Sequence, residues 1–287
     1  MIWLDTLLQG LLLGGLYALF AAGLSLVFGI MRLVNLAHGD LIVLGAYVIL
    51  GIGTAFGLNP FVAALIALPL MFLVGWVLQT VLLNRVLGDD ILPPLLVTFG
   101  LSVVIQNALL EGFSADSRKL PVGPIEAESF SIGSVSIGVM PLVTFGSAIL
   151  VILCLNWIFY RTALGRAFRA TSDDAVTAQL MGIRPKRVFA LATGIALVVA
   201  TIAALYLGAR ANFDPSIGPA RLLYAFEAVI IGGLGSLWGT LIGGLVIGVA
   251  QAFGAALNPE WQILAGHIAF VLILLVRPRG LFPRAYD

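Results

Sequence analysis

Two stretches of this 287-residue chain set polar side chains and glycines together inside otherwise apolar sequence. The first runs from Arg32 through Asn35, His38 and Gly39 to Asp40, followed by Gly45. The second runs from Glu227 through Gly232, Gly233 and Gly235 to Gly239, followed by Gly243. In hydrocarbon an ionisable side chain is costly and faces a partner or a water-filled path. Irregular backbone is tolerated there only where protein or a cavity satisfies its polar groups. Glu227 is the one acidic residue well inside an apolar stretch, which makes it a candidate for a substrate pathway; the plainer reading is a cap or interface residue near a helix start. Asn35, His38, Gly39 and Asp40 could line the same pathway with Gly232, Gly233 and Gly235, or could sit in a solvated cytoplasmic turn. Gln106 and Asn107 fit hydrogen bonds to a neighbouring helix better than contact with a solute.

The chain lacks the groups that other chemistry would need. No G-x-x-x-x-G-K-[ST] string occurs, and neither Lys119 nor Lys186 follows a glycine-rich turn, so no P-loop can cradle ATP phosphates. There is no H-E-x-x-H, and His38 and His267 are far apart in sequence. The string from Gly233 to Gly239 lacks the spacing of a nucleophile elbow. No span carries arginines at helical spacing, as a voltage sensor would. A net charge of +1 excludes a nucleic-acid binder working through a basic surface. Cys154 stands alone inside an apolar run, which excludes an internal disulfide framework or a cysteine metal cluster and fits a small buried hydrophobe. No cofactor is expected.

These residues must be positioned by helices in lipid. Of the residues, 61% are hydrophobic and 10% charged, far from the roughly 25% charged of a soluble domain. That leaves about 175 apolar residues, enough for roughly eight or nine spans of about 20. Polar and turn-forming punctuation marks them near 7–31, 39–57, 60–84, 93–111, 141–160, 188–208, 222–236, 239–257 and 261–277. The stretch 222–236 is short and bounded by glycines, so a half-helix or re-entrant turn is expected there. The N-terminal apolar stretch lacks a basic lead and reads as a retained helix, not a signal peptide. The fold class expected is an all-α polytopic membrane protein with about eight or nine transmembrane helices, Gly-rich broken or re-entrant segments and a short external β-hairpin. The loop 161–187 and the tail after 277 hold most of the positive charge. By the positive-inside rule both are cytoplasmic, which places the N-terminus outside and the C-terminus in the cytoplasm.

The loops have structure of their own. In the external loop 112–140, Phe130 to Ile137 alternates apolar and polar residues around Gly133-Ser134, the pattern of a β-hairpin. In the cytoplasmic loop 161–187 a short helix is expected over 173–181, with Thr171 and Ser172 as N-caps, Asp173 and Asp174 in its first turn and Gly182 as its stop before Pro185. Ala175, Ala178 and Gly182 would give that helix a face without bulk, open to close approach by another backbone. Gly10 and Gly14, and Gly235, Gly239, Gly243, Gly244 and Gly248, are spaced for close helix packing. One broken, polar, glycine-rich stretch lies in each half, as in transporters built from internal repeats.

The string from Phe28 to Tyr47, the segment Thr162 to Thr171 leading into Ala175, Ala178 and Gly182, and the stretch Glu227 to Gly248 resemble the branched-chain amino acid ABC transporter permeases of the LivH type. The resemblance covers essentially the whole chain. It implies one transmembrane permease domain over 1–287, in the inner membrane of a prokaryote. It also implies a second related permease, two ATP-binding subunits that hydrolyse ATP in place of this chain, and a periplasmic substrate-binding protein. Gly165, Arg166, Arg169, Asp174, Ala175, Ala178 and Gly182 carry over as residues that couple to the ATPase. Branched-chain amino acids are the solute implied; related permeases carry urea, short amides or aromatic acids with similar sequences. The mechanism implied is alternating access. A free-standing channel or secondary transporter is the competing class, and the scarcity of intramembrane ionisable residues argues against it.

Overall fold

The computed structural model describes residues 2–88, 90–132 and 135–282. Eleven α-helices and one two-stranded sheet make up the described chain: α1 (Ile2–Met31), α2 (His38–Phe56), α3 (Pro60–Val77), α4 (Leu92–Phe113), β1 (Ser129–Ile132), β2 (Val135–Gly138), α5 (Val139–Arg161), α6 (Ala163–Asp173), α7 (Ala175–Leu180), α8 (Pro185–Arg210), α9 (Gly218–Gly232), α10 (Leu237–Leu257) and α11 (Trp261–Val276). Seven of the helical segments are long and apolar enough to cross a membrane, and α11 is a shorter apolar helix. The expected polytopic helical fold is therefore present, with its hairpin. β1 pairs antiparallel with β2, Phe130 opposite Ile137; the turn at 133–134 lies outside the described residues.

Helix ends follow local chemistry. Asn59 accepts from the Phe61 amide at 2.9 Å and Pro60 opens α3, the arrangement that suits a helix start. Ser236 caps α10 by accepting from the Gly239 amide at 3.1 Å. α3 runs on through a π-helical turn, Leu78–Leu82, and a 3₁₀ turn, Leu83–Arg85. There Gln79 accepts from Thr193 of α8 at 2.7 Å and donates to Asn84 at 3.0 Å.

The helices fall into two sets of four with reciprocal packing. α1 packs against α10 as α8 packs against α3; α2 against α8 as α9 against α1; α4 against α2 as α11 against α9. The sets run in opposite senses. The end of α1 meets α6 through Ser172, which donates to the Gly29 carbonyl at 2.8 Å, and the start of α8 meets the end of α3 through Asn84 and Lys186. The other end of α8 pairs with the segment after α4, where Phe213 and Arg118 exchange backbone bonds of 2.8 Å. The hairpin sits at that same end, beside the start of α1, with Gln9 donating to the Ser136 carbonyl at 2.9 Å.

Two helices begin inside the bundle. His38 opens α2, yet its Nε2 donates to the Phe20 carbonyl at 2.9 Å, eleven residues before the end of α1 and so about 16 Å back along it at ~1.5 Å per residue. Gly218 opens α9 directly against Gly39 and Asp40. The segments 32–37 and 211–217 therefore fold back to mid-depth, and the first turns of α2 and α9 abut. This corrects the expected correspondence between the halves. The counterpart of 32–40 is 211–218, not 227–243, which lies at the far end of α9. The span bounds 188–208 and 222–236 leave Arg221 in an external loop; the structure places it instead in the first turns of α9, half-buried. The half-helix expected near 222–236 is α9 itself, and α2 shares its mid-depth start.

Close backbone approach explains the glycine stripes. A Cβ at Gly10 would lie 2.7 Å from the Val249 Cα, and one at Gly244 would lie 2.6 Å from the Ala18 amide. Such contacts let α1 and α10 pack where lipid supplies no hydrophobic drive. Cys154 is exposed on α5, against the expectation of a buried thiol. An apolar run in a membrane helix marks hydrocarbon on either side of its surface, protein or lipid, so apolarity alone does not place a residue inward.

Candidate functional site

The polar stretch after α1 is buried rather than solvated. Asn35, His38 and Asp40 are 4%, 2% and 1% exposed, which excludes the solvated turn. Asn35 accepts from the Ala37 amide at 3.0 Å, and the Leu36 amide donates to Thr98 of α4 at 3.2 Å. Ser102 of α4 donates to Asp40 at 2.6 Å, and Gln106 donates to Ser102 at 3.2 Å. Gly39 has no room for a side chain, since the Gly218 carbonyl and the Leu222 amide occupy the space. These residues form the seam between α2, α4 and α9. Among the described residues Asn107 bonds its own helix, donating to the Val103 carbonyl at 2.8 Å, and not the neighbouring helix that its type suggested.

Glu227 is the tenth residue of α9, 2% exposed, so it is no cap. Its Oε1 shares a hydrogen bond with His267 Nδ1 of α11. His267 also stacks on Tyr224, with 6.4 Å between ring centroids, and Tyr224 packs on Tyr17 at 4.9 Å. The Tyr17 hydroxyl donates to Gln251 of α10 at 2.6 Å. Gly232, Gly233 and Gly235 do not join this cluster. They make the turn from α9 to α10 at the end of the bundle, Gly233 and Gly235 at φ 101° and 79°, with Gly232 pressed on Gly239. The chain after α11 closes over this turn: the Leu281 and Phe282 amides donate to the Ile231 and Gly232 carbonyls at 2.8 and 3.1 Å. Thus the structure splits the pathway candidates into a seam, a polar cluster and a turn. The sequence reading missed Tyr17, Arg221, Tyr224, Gln251 and His267. The signal was available, because a polar residue inside an apolar span is the same mark that singled out Glu227.

The candidate coupling residues occupy α6, α7 and their joints. Thr162 caps α6 by accepting from the Gly165 amide at 3.2 Å, and Gly165 is pressed on the carbonyls that end α5. Arg169 donates to the Phe159 carbonyl and lies 5.6 Å from the Tyr160 ring centroid; Arg166 is exposed. The short helix is α7, and its N-cap is Asp174, not Thr171 or Ser172. Asp174 Oδ1 accepts from the Val176 and Thr177 amides at 2.9 and 3.0 Å. Thr171 is buried within α6, which continues to Asp173 and displaces the expected cap by two to three residues. The Thr177 hydroxyl, with the Thr177 amide, holds the Asp174 carboxyl below the ordinary carboxylate range. Gly182 stops the helix at φ 85°. Of the small residues, Ala178 points inward at 4% exposed, Ala175 is half-buried and Gly182 is exposed, whereas Val176, Leu180 and Met181 are 72%, 82% and 80% exposed. The outward face of α7 is therefore bulky and apolar, opposite to the face expected. Packing decides this, since Ala178 is small enough to let α7 lie on the chain beneath it.

No group of three His, Cys, Asp or Glu side chains that could hold a metal occurs among the described residues. The described residues thus form a polytopic helical bundle with inverted repeats and buried carboxylates, the build of a transport permease. The chain belongs to the family described as branched-chain amino acid transport system / permease component, whose model matches residues 6–276. It is 32% identical to the high-affinity branched-chain amino acid transport system permease protein BraD of Pseudomonas aeruginosa, over 98% of this chain and 96% of that one. It is equally similar, 32% over 98% of this chain and 96% of the relative, to the permease protein LivH of Escherichia coli K12. A second E. coli permease protein of such a system, LivM, is 24% identical over 93% of this chain and 68% of its own length.

Proposed function

We propose that this chain is the LivH-type permease subunit of an ATP-driven importer that carries branched-chain or related amino acids delivered by a periplasmic binding protein. The observation that carries this reading is the near-complete match, 98% of this chain and 96% of the relative, to a permease named for high-affinity branched-chain amino acid transport. In this reading the subunit sits in the inner membrane of a prokaryote beside a related second permease, the role suggested by the similarity to LivM. Two ATP-binding subunits dock on the end of the bundle that carries α6 and α7. That end is cytoplasmic, because loop 161–187 and the tail hold most of the positive charge. The N-terminus and the β-hairpin then face outward.

The exposed face of α7 (Val176, Leu180 and Met181) is the surface that enters the ATPase. An apolar patch at a solvent-facing loop marks a protein contact. Gly165, Arg169 and Ala178 fix α6 and α7 to the bundle, so a push on α7 is passed to α5 and α8 rather than absorbed. The pathway runs along α9 past Glu227, and alternating access moves the two repeats against each other about the α2–α9 seam. Reconstitution in vesicles with and without the ATP-binding subunits tests this. Uptake requires them, and changing Val176, Leu180 and Met181 together to serine abolishes their docking. Gradient-driven flux from the purified subunit alone would replace this reading with a channel or secondary transporter.

A further inference from the structure

Five side chains from α1, α9, α10 and α11 close a circuit: Gln251 to Tyr17 by a hydrogen bond, Tyr17 to Tyr224 and Tyr224 to His267 by ring contact, and His267 to Glu227 by a hydrogen bond. Gln251 is seated on Gly266, the neighbour of His267, where a Cβ would lie 2.9 Å from the Gln251 Cγ. The two ends of the circuit thus meet on adjacent residues of α11. Three buried polar atoms here have no hydrogen-bond partner among the described residues: Glu227 Oε2, Gln251 Nε2 and Arg221 Nε. One is an acceptor on a carboxylate and two are donors. Away from water such atoms are costly unless something else pairs them. Unpaired buried atoms also occur at Ser25, Asp40 and Tyr47; what sets this cluster apart is that three of them, one acceptor and two donors, gather on the same packing of α9 and α10.

The solute that completes this set has three donors on a cationic group beside an acceptor-only anionic group. That is the ammonium and carboxylate of an α-amino acid. We propose that Glu227, Gln251 and Arg221 form a subsite for the zwitterionic head of an amino acid. Glu227 Oε2 accepts from the ammonium, and Gln251 Nε2 and Arg221 Nε donate to the carboxylate. Tyr17 and His267 are positioning residues: Tyr17 orients the Gln251 amide by occupying its oxygen, and His267 fixes Glu227. The His267 side chain is 33% exposed against 3% for Glu227, so displacement of His267 is what uncovers the carboxylate to the outside of the chain. The subsite rests on the amino-acid reading above and deepens it.

The test uses the whole complex (both permeases, ATP-binding subunits and loaded binding protein) in vesicles, with leucine uptake and ATP hydrolysis measured together. In Glu227→Gln, leucine carried per ATP hydrolysed falls about tenfold or more, the scale of one lost charge-assisted hydrogen bond. Gln251→Leu lowers the same ratio less. His267→Phe keeps the ring contact, removes the hydrogen bond and lowers the ratio; His267→Gln restores part of it. A ratio in Glu227→Gln and Gln251→Leu equal to the parent's overturns the subsite and leaves the amino-acid reading standing. A loss of uptake that only follows loss of assembled complex overturns it in favour of a structural role. A parent complex that carries urea or an uncharged amide and rejects amino acids overturns both.

Discussion

Asp40 and Glu227 lie on corresponding helices of the two repeats and are held in opposite ways. Asp40 is in the first turn of α2, pressed on the first turn of α9, and takes a 2.6 Å bond from Ser102 of α4. Two helix N-termini meet there, and each favours negative charge. Glu227 is mid-helix on α9, away from either terminus, and its partner is His267 of α11. The helix pairs correspond, α2 with α4 and α9 with α11, and each carboxylate keeps one buried oxygen without a partner among the described residues, but the first is wedged where two helix N-termini meet and the second lies beside a partly exposed imidazole. An inverted repeat can therefore set its two buried acids in different surroundings, and in the subsite proposed above only the second handles solute.

The largest expected effect comes from prying the seam apart. Gly39→Leu and Gly218→Leu force backbone from backbone, and each should cost about 3 kcal/mol or more, the upper range for overpacking. The yield of folded protein from membranes and its thermal midpoint in detergent measure this. Normal yield and midpoint would mean that the α2–α9 contact is not what joins the repeats. Next, Asp40→Asn should lower the thermal midpoint, by about 1–3 kcal/mol for a buried hydrogen-bonded group, without changing solute carried per ATP. Glu227→Gln should do the reverse. A shared phenotype in uptake would break the comparison. Ser102→Ala should follow Asp40→Asn in kind at about 1 kcal/mol, because it removes one donor and leaves the carboxylate at the helix termini. If it alters uptake per ATP instead, Asp40 belongs to the pathway after all.

Much of this was legible in the residues. Apolar runs located the long helices, alternation around 133–134 located the hairpin strands, and the lone acid at 227 marked the polar cluster. The fold-back segments were not legible. The stretch 211–217 reads as an ordinary external loop because its polar and turn-forming residues look the same whether water or a helix seam satisfies them. Arg221 was misplaced for that reason. Pairing was also hidden: His267 and Glu227 are 40 residues apart, each a polar mark on its own helix, and only the packing of α11 on α9 joins them. On α7 the face was not legible either. Period and size mark Ala175, Ala178 and Gly182 as one stripe, but not whether the stripe faces the bundle or a partner.

A third carboxylate, outside the membrane, sharpens the comparison with the smallest effect. Asp174 is exposed and caps only its own helix, so its loss should disturb α7 alone. Its folded-state pKa lies below the ordinary carboxylate value, through Thr177. The cap therefore stabilises α7 fully above that ordinary range, and its contribution is lost as pH falls through the lowered value. The protection of amides 175–181, measured against their intrinsic exchange rates, should fall as the medium is acidified through this window, while protection in α2 and α9 stays flat. Asp174→Asn keeps an acceptor for the Val176 and Thr177 amides but does not titrate, so protection in α7 should lose its dependence on pH. Asp174→Ala should show low protection at every pH. If acid leaves α7 unchanged in the parent, the helix is held by Ala178 packing on the bundle rather than by its cap, and the α7 face stays presented to its partner at any pH.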